Sequence, residues 1–110
     1  MTGTVGNDTL NSTSANDTLT GGAGSDTFVF AQNFGHDTIV DFRPGQDHID
    51  LTALSAVVNA SNFNTWFSAN VTTSPTNYVD TLITLDSADN ITLHNVAVAN
   101  LHATDFIIHA

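Results

Sequence analysis

An aspartate recurs every nine residues at the beginning of this chain. The three regular copies read Asp8-Thr9-Leu10, Asp17-Thr18-Leu19 and Asp26-Thr27-Phe28. Two looser copies follow, Gly35-His36-Asp37-Thr38-Ile39 and Gly45-Gln46-Asp47-His48-Ile49. Three copies in the same register, followed by two related ones, predict a coil built from near-identical short turns and strands.

The most complete copy, residues 21–29, reads Gly-Gly-Ala-Gly-Ser-Asp-Thr-Phe-Val. Its first six residues turn the chain, and glycine suits such a turn because it tolerates positive φ and leaves its carbonyl group accessible. The aspartate adds a short, anionic oxygen ligand. Calcium takes six to eight oxygen ligands, which is more than one loop supplies. The pattern therefore predicts stacked loops that share calcium ions.

The last three residues of each copy predict a short strand whose bulky residue points inward. The predicted core residues are Leu10, Leu19, Phe28, Ile39 and Ile49. Successive strands are expected on opposite faces of a flattened coil, so that loops two repeats apart stack. This arrangement pairs the Asp8 loop with the Asp26 loop, and the Asp17 loop with the Asp37 loop.

These nonapeptides resemble the repeats of the RTX family of calcium-binding β-rolls. In that family, an earlier loop gives two carbonyl groups and its aspartate, and a later loop gives two more carbonyl groups and its own aspartate. The resemblance implies two or three calcium ions. For a first site it implies Thr4, Gly6 and Asp8 together with Gly21, Ala23 and Asp26; for a second, Thr13, Ala15 and Asp17 together with Asp37; for a third, Gly22 and Gly24 together with Asp47.

The copies depart from the pattern in places, and alternatives stay open there. The second repeat has no glycine, and Asp37 lies eleven residues after Asp26, so the second site is expected to be weaker. Ordinary Asp/Gly/Asn turns are the alternative interpretation of the repeats, although turn chemistry alone does not require a nine-residue register. Asp41 and Asp50 are equally consistent with a role as ligands of the third site and with a solvated or capping role.

The charge of the chain favours a cation as its partner. The eleven acidic residues are all Asp, Arg43 is the one Lys or Arg residue, and the net charge is −10. This balance argues against binding to nucleic acid or to an anionic membrane. Without metal the carboxylates of the loops repel one another, so we expect folding to be linked to calcium binding.

The chain changes character at Thr52, which divides it into a calcium-binding roll (residues 1–51) and a C-terminal cap (residues 52–110) that together form one compact unit. We predict a short helix over residues 62–69, a hairpin made of residues 78–85 and 91–94, and a final strand over residues 106–108. Trp66 and Phe67 are interpreted as core or cap residues rather than as a ligand-binding pair. The predicted fold class is all-β: a parallel β-roll followed by a small antiparallel β cap with a short helix.

The second half resembles the C-terminal domain of serralysin-type secreted proteins. The resemblance rests on residues 41–51 (Asp-Phe-Arg-Pro-Gly-Gln-Asp-His-Ile-Asp-Leu), on residues 80–85 and 90–96, and on residues 101–106. It implies an uncleaved signal for type I secretion through an ABC exporter, and hence an extracellular protein with a passenger domain upstream. The terminal Asp105-Phe106-Ile107-Ile108 fits such a signal, although His109 and Ala110 extend beyond it.

The sequence disfavours other functions. There is no Glu or Cys, no H-E-x-x-H and no G-x-S-x-G, and the five histidines have no metal-binding spacing, so we expect no enzymatic activity. No apolar run is long enough to span a membrane, and the N-terminus has no features of a secretory signal peptide. The alternative function is an extracellular adhesin, or an ice-binding or glycan-binding module, that presents the outward threonines Thr9, Thr18, Thr27 and Thr38.

Overall fold

The strands of the roll alternate between two sheets. The computed structural model describes residues 1–74, 79–86 and 88–108. The first five strands of this part of the chain are β1 (Thr9–Asn11), β2 (Thr18–Leu19), β3 (Thr27–Val29), β4 (His36–Ile39) and β5 (His48–Asp50). Odd-numbered strands pair in one sheet and even-numbered strands in the other, as the nine-residue period predicts.

The register of the roll brings equivalent positions of the repeats together. In the first sheet Leu10 lies beside Phe28, and Phe28 lies beside Ile49, with all strands parallel. In the second sheet Leu19 lies beside Ile39. All five side chains are buried, and burying each contributes about 1.5–3 kcal/mol relative to exposure. The inward apolar residues therefore form the core that the sequence predicts.

The C-terminal half contains a helix, a three-stranded antiparallel segment and a final strand. These elements are α1 (Phe63–Asn70), β6 (Val71–Thr73), β7 (Thr81–Thr84), β8 (Asn90–Leu93) and β9 (Phe106–Ile107). Three short 3-10 helices lie at Thr52–Leu54, Val98–Asn100 and Ala103–Asp105. β6, β7 and β8 pair in antiparallel fashion, which confirms the predicted antiparallel segment.

The C-terminal half also continues the roll. β8 pairs in parallel with β4, and β9 pairs in parallel with β5. Each sheet of the roll therefore gains its next parallel strand from the second half of the chain. The whole described structure is all-β with a single short α-helix, and the predicted fold class is confirmed.

Aromatic side chains join α1 to the final strand. Phe106 in β9 packs against Phe63, Trp66 and Phe67, with ring centroids 5.5, 6.4 and 5.8 Å away. Trp66 and Phe106 are both 6% exposed. This cluster anchors α1 on the roll, and Trp66 is a core residue, as the sequence predicts.

Several predicted boundaries differ from those of the structure. The helix expected over residues 62–69 runs from Phe63 to Asn70, the final strand expected over residues 106–108 ends at Ile107, and β6 was not predicted. The hairpin strand expected from Tyr78 begins at Thr81 among the described residues; residues 75–77, Tyr78 and the terminal His109 and Ala110 lie outside them. In the ranges that the structure covers, no helix is long and apolar enough to cross a membrane.

Candidate metal centre

The loops of the roll stack in the predicted pairs. We call them loop 1 (residues 3–8), loop 2 (12–17), loop 3 (21–26), loop 4 (30–37) and loop 5 (41–47). The backbone N–H of Asp8 donates to Oδ1 of Asp26 at 2.9 Å, which joins loop 1 to loop 3. The N–H of Asp17 donates to Oδ1 of Asp37 at 2.8 Å, which joins loop 2 to loop 4. Each later aspartate is therefore anchored on the backbone of the earlier one.

Asparagine side chains reinforce both pairs in the same way. Oδ1 of Asn7 accepts the N–H of Ser25 at 2.7 Å, and Oδ1 of Asn16 accepts the N–H of His36 at 2.9 Å. Each asparagine directly precedes the aspartate of the earlier loop, and each donor directly precedes the aspartate of the later loop. The two pairs thus share one geometry, although loop 2 contains no glycine.

The glycines of loop 3 let its backbone lie directly against carbonyl groups of loop 1. Gly22 has a φ of 86°, and a Cβ atom there would lie 2.5 Å from the carbonyl oxygen of Thr4. Gly24 has a φ of 87°, and its Cβ would lie 2.6 Å from the carbonyl oxygen of Gly6. Side chains at these positions would displace the two carbonyl oxygens that the RTX resemblance assigns to calcium.

The aspartates of loops 1 and 2 have hydrogen-bond donors within their own loops. Thr4 donates to Asp8 from its N–H (2.5 Å) and from its hydroxyl (2.9 Å). Thr13 donates to Asp17 from its N–H (2.6 Å) and from its hydroxyl (2.9 Å). These carboxylates lie at the N-terminal end of the roll and are partly exposed.

The aspartates of loops 3 and 4 each have an oxygen without a partner. Oδ2 of Asp26 and Oδ2 of Asp37 are buried and accept no hydrogen bond, and these residues are 0% and 1% exposed. A buried carboxylate oxygen with no donor is costly unless a cation or a proton compensates it. Each stacked pair therefore contains a buried anionic oxygen that a metal ion would satisfy.

The pKa of Asp37 also shows that its buried carboxylate lacks compensation. The pKa of Asp37 is raised from 3.8 to about 6, mainly by burial. The charges of Asp17 and Asp89 also raise this pKa, whereas a hydrogen bond from the backbone N–H of Asp17 and the charge of His36 lower it. The carboxylate thus holds its proton more tightly than usual because burial disfavours its charged form.

The third predicted set of ligands is arranged differently. Oδ1 of Asp47 accepts the N–H of Asp26 and Oδ2 accepts the N–H of Arg43, both at 2.9 Å. Burial raises the pKa of Asp47, as it does for Asp37. The carbonyl oxygen of Gly24, a predicted ligand, accepts a hydrogen bond from Nε2 of Gln46 at 3.0 Å. Each carboxylate oxygen of Asp47 therefore already has a hydrogen-bond donor, in contrast to Oδ2 of Asp26 and of Asp37.

The side chains of Asp41 and Asp50 both accept backbone N–H groups. Asp41 accepts the N–H groups of Gly21 and Gly22 at 2.9 and 2.8 Å. Oδ1 of Asp50 accepts the N–H and the hydroxyl of Thr52 at 2.9 and 2.7 Å. Of the two interpretations left open for these residues, the geometry supports the capping one.

Two aspartates of the C-terminal half reach the roll without having been predicted to do so. Oδ1 of Asp89 accepts the N–H of Gly35 at 2.8 Å, and Oδ1 of Asp105 accepts the N–H of Gly45 at 2.7 Å. Both aspartates are buried. Asp89 directly precedes β8, and Asp105 directly precedes β9. That position, just before a strand, is the one available sequence signal, because it matches the position of the aspartates in the repeats.

The donor set fits a hard cation that binds oxygen. Among the described residues, no three His, Asp, Glu or Cys side chains cluster as a metal site. The available ligands are paired carboxylates and backbone carbonyl groups. Calcium accepts such oxygens in flexible geometry, whereas zinc in proteins prefers nitrogen and sulfur ligands. The residues present therefore fit calcium.

The match to a known family covers almost the whole chain. The family described as Peptidase M10 serralysin C terminal matches residues 2–110. The chain belongs to this family of serralysin C-terminal domains. The family is the non-catalytic part of serralysin-type peptidases, and its RTX-like fold agrees with the roll described above. No curated protein sequence matches the chain.

Two solved structures resemble the chain. One is the solution structure of the AlgE6R3 subunit from the Azotobacter vinelandii mannuronan C5-epimerase, with a TM-score of 0.70 and 30% identity. That match covers 96% of this chain and 65% of the other, so the chain spans slightly less than two thirds of that structure. The other is the C-terminal domain (RV) of MpAFP, with a TM-score of 0.56 and 25% identity over 86% of this chain and 74% of that one.

Proposed function

We propose that this chain is a calcium-dependent folding module that binds two calcium ions, one in each stacked pair of loops. The observation that carries the proposal is the buried, unpartnered Oδ2 atom of Asp26 in one pair and of Asp37 in the other. Family membership supports the proposal, because RTX-like domains generally bind calcium. The third set of predicted ligands is left out because Asp47 already has a donor on each oxygen.

The linkage between binding and folding follows from the charge. A net charge of −10 on 110 residues opposes a compact state, and two divalent ions neutralise carboxylates that the fold brings together. A ligand that binds only the folded state stabilises it by RT ln(1 + [L]/Kd). Calcium at millimolar concentration is therefore expected to shift the chain from largely disordered to folded.

A calcium titration of metal-stripped protein tests this function. Isothermal calorimetry is expected to show binding of two ions, and circular dichroism is expected to show β structure forming over the same range. Trp66, the single tryptophan, is expected to become buried in parallel. Magnesium, which requires a smaller and more rigid octahedral site, is the matched control and is expected to have little effect. Absence of both heat and structural change with calcium would refute the proposal.

The module is further proposed to act as the C-terminal signal for type I secretion and as the folding nucleus of an extracellular protein. Proteins with serralysin-type or RTX domains are typically secreted. Extracellular calcium modules have dissociation constants of about 10⁻⁴–10⁻³ M, so the chain would remain unfolded in the cytosol and fold on emergence. Folding outside would then oppose backsliding through the ABC exporter.

A secretion assay with a fused passenger tests this role. The passenger carrying the intact module is expected in the medium when a type I exporter is co-expressed. The triple variant Asp8→Asn, Asp17→Asn, Asp26→Asn is expected to be exported more slowly because it folds less readily outside. Equal export rates would contradict the folding-driven step, and no export of either fusion would contradict the signal role.

A recognition surface is the alternative function, and one feature of the second sheet favours it. Five side chains point outward in one row across all five strands of that sheet, and four are threonines: Thr18, Thr38, Thr92, Leu82 and Thr72. This row is longer than the two threonines per face that the repeats alone suggest. Thermal hysteresis or glycan-array binding that is lost in Thr38→Lys would support recognition, and no signal from the unaltered protein would exclude it.

A further inference from the structure

The aspartates of three loops share one internal hydrogen bond. In loops 1, 2 and 5, Oδ2 of the aspartate accepts the backbone N–H of the residue four positions earlier. The pairs are Thr4 with Asp8 (2.5 Å), Thr13 with Asp17 (2.6 Å) and Arg43 with Asp47 (2.9 Å). An N–H aimed at Oδ2 is therefore the usual arrangement of these loops.

Loop 3 departs from this arrangement. The residue four positions before Asp26 is Gly22, and its N–H points to Oδ2 of Asp41 at 2.8 Å instead. The N–H of the preceding Gly21 points to Oδ1 of Asp41 at 2.9 Å. Oδ2 of Asp26 is left buried and without a donor. The N–H of Gly22, which would otherwise donate to Asp26, therefore donates to the carboxylate of Asp41.

The sheet register places Asp41 where it can do this. β2 and β4 are parallel neighbours, with Leu19 beside Ile39. The N–H of Val40 donates to the carbonyl oxygen of Leu19 at 2.9 Å, which extends the pairing past the strand ends. Asp41 therefore follows β4 at the level where loop 3 leaves β2, and its two oxygens meet two consecutive N–H groups.

We propose that Asp41 is a positioning residue of the calcium site on loop 3, an inference that rests on the calcium-binding function proposed above. An N–H group carries partial positive charge, so one aimed at Oδ2 of Asp26 would compete with a cation for that oxygen. Asp41 holds the two N–H groups away and keeps the oxygen free for the ion. It acts through Gly21 and Gly22 and does not itself contact the metal.

The test compares Asp41→Asn with Asp50→Asn. The two N–H groups bond to different oxygens of Asp41. Asparagine replaces one of these oxygens by a donor NH₂ group, which would face one of the N–H groups and cannot accept it. The carboxylate of Asp50 accepts hydrogen bonds from Thr52 of its own segment, and its substitution by asparagine removes the same charge. Calorimetry is expected to show that Asp41→Asn weakens one of the two calcium sites about 10–100-fold, as loss of a supporting contact typically does, while Asp50→Asn binds as the unaltered protein does.

Site-resolved NMR identifies which site is affected. In Asp41→Asn, the backbone amides of Gly22 and Asp26 are expected to need higher calcium for their shifts, while the amide of Asp37 follows the unaltered curve. Asp41→Glu retains both acceptor oxygens and is expected to restore the affinity. It also keeps the proposal testable if Asp41→Asn does not fold.

The possible results distinguish a failure of the role proposed for Asp41 from a failure of the proposed calcium-binding function. If the unaltered protein binds no calcium, the proposed function fails and the inference fails with it. If the unaltered protein binds calcium but Asp41→Asn binds equally well, or if Asp41→Asn and Asp50→Asn weaken binding equally, the inference alone is overturned. It is also overturned if Asp41→Asn weakens both sites alike, or if Asp41→Glu binds as poorly as Asp41→Asn.

Discussion

Gly24 and Gly45 provide a matched pair that tests how closely the loops stack. Their φ angles are 87° and 84°, so an alanine at either position suffers the same backbone strain. That strain is about 1–2 kcal/mol for a left-handed L-residue. The surroundings differ: a Cβ on Gly24 would lie 2.6 Å from the carbonyl oxygen and 2.8 Å from the carbonyl carbon of Gly6, whereas a Cβ on Gly45 would meet nothing within 4 Å.

The magnitude of the difference follows from those distances. Ordinary contact begins at 3.4 Å, so Gly24→Ala must push the loop 1 backbone away from loop 3. Forced packing of this kind costs about 1–3 kcal/mol. We therefore expect Gly24→Ala to lower the free energy of unfolding by about 2–5 kcal/mol and Gly45→Ala by about 1–2 kcal/mol. Calcium affinity is expected to fall only for Gly24→Ala, because the carbonyl group of Gly6 is a predicted ligand.

Urea unfolding at saturating calcium, followed by Trp66 fluorescence, measures both values. Trp66 lies in the aromatic cluster with Phe106 of β9, which is paired with β5, so its signal reports on the roll as well as on the cap. Equal destabilisation by the two alanines would refute the close contact between loops 1 and 3. A larger effect at Gly45 would refute it more directly.

Three further predictions follow from the hydrogen bonds and the packing. The pKa of Asp37, raised from 3.8 to about 6, means that folded, metal-stripped protein binds a proton more tightly than unfolded protein does. This stability is fully present below pH 3.8 and is lost as the pH rises through about 6; it is on the order of 2 kcal/mol after allowance for nearby solvent. In the presence of a chelator, the folded fraction seen by circular dichroism is therefore expected to rise on acidification from pH 7 to pH 4, less so in Asp37→Asn; a falling folded fraction would contradict this. Thr13→Val removes the hydroxyl that bonds Asp17 and is expected to destabilise the calcium-saturated protein by about 0.5–1 kcal/mol in urea unfolding, with Thr72→Val, at an exposed position of β6, as the control. Phe106→Ala is expected to cost about 3–5 kcal/mol and to weaken calcium binding; an unchanged calcium titration would show that the cap and the roll fold separately.

The roll was predictable because its determinants are local and periodic. The nine-residue register fixed the alternation of strands, the inward residues and the pairing of Asp8 with Asp26. The helix was predictable from the apolar Phe63 and Trp66 within a short segment. Which oxygens lack a donor could not be predicted, because Asp26 and Asp8 stand in nearly the same local sequence, and the difference depends on Asp41, which follows the strand β4.

The contacts between the two halves of the chain could not be predicted from the sequence for a different reason. Asp89 lies 54 residues from Gly35 and Asp105 lies 60 residues from Gly45, yet each pair is joined by a hydrogen bond. No repeat links these positions, since Asp89 and Asp105 lack the glycines that mark the loops. The antiparallel segment was visible as a hairpin, but the parallel pairing of β8 with β4 required the folded arrangement.

The parallel attachment of β8 and β9 has a consequence for any shortened form of the protein. A chain that stopped after residue 51 would leave the last strand of each sheet, β4 and β5, with a bare edge of unpaired N–H and C=O groups. Such edges recruit strands from other molecules and promote aggregation. The C-terminal half thus shields the roll, and the repeats expressed by themselves should precipitate or form oligomers even where calcium is abundant.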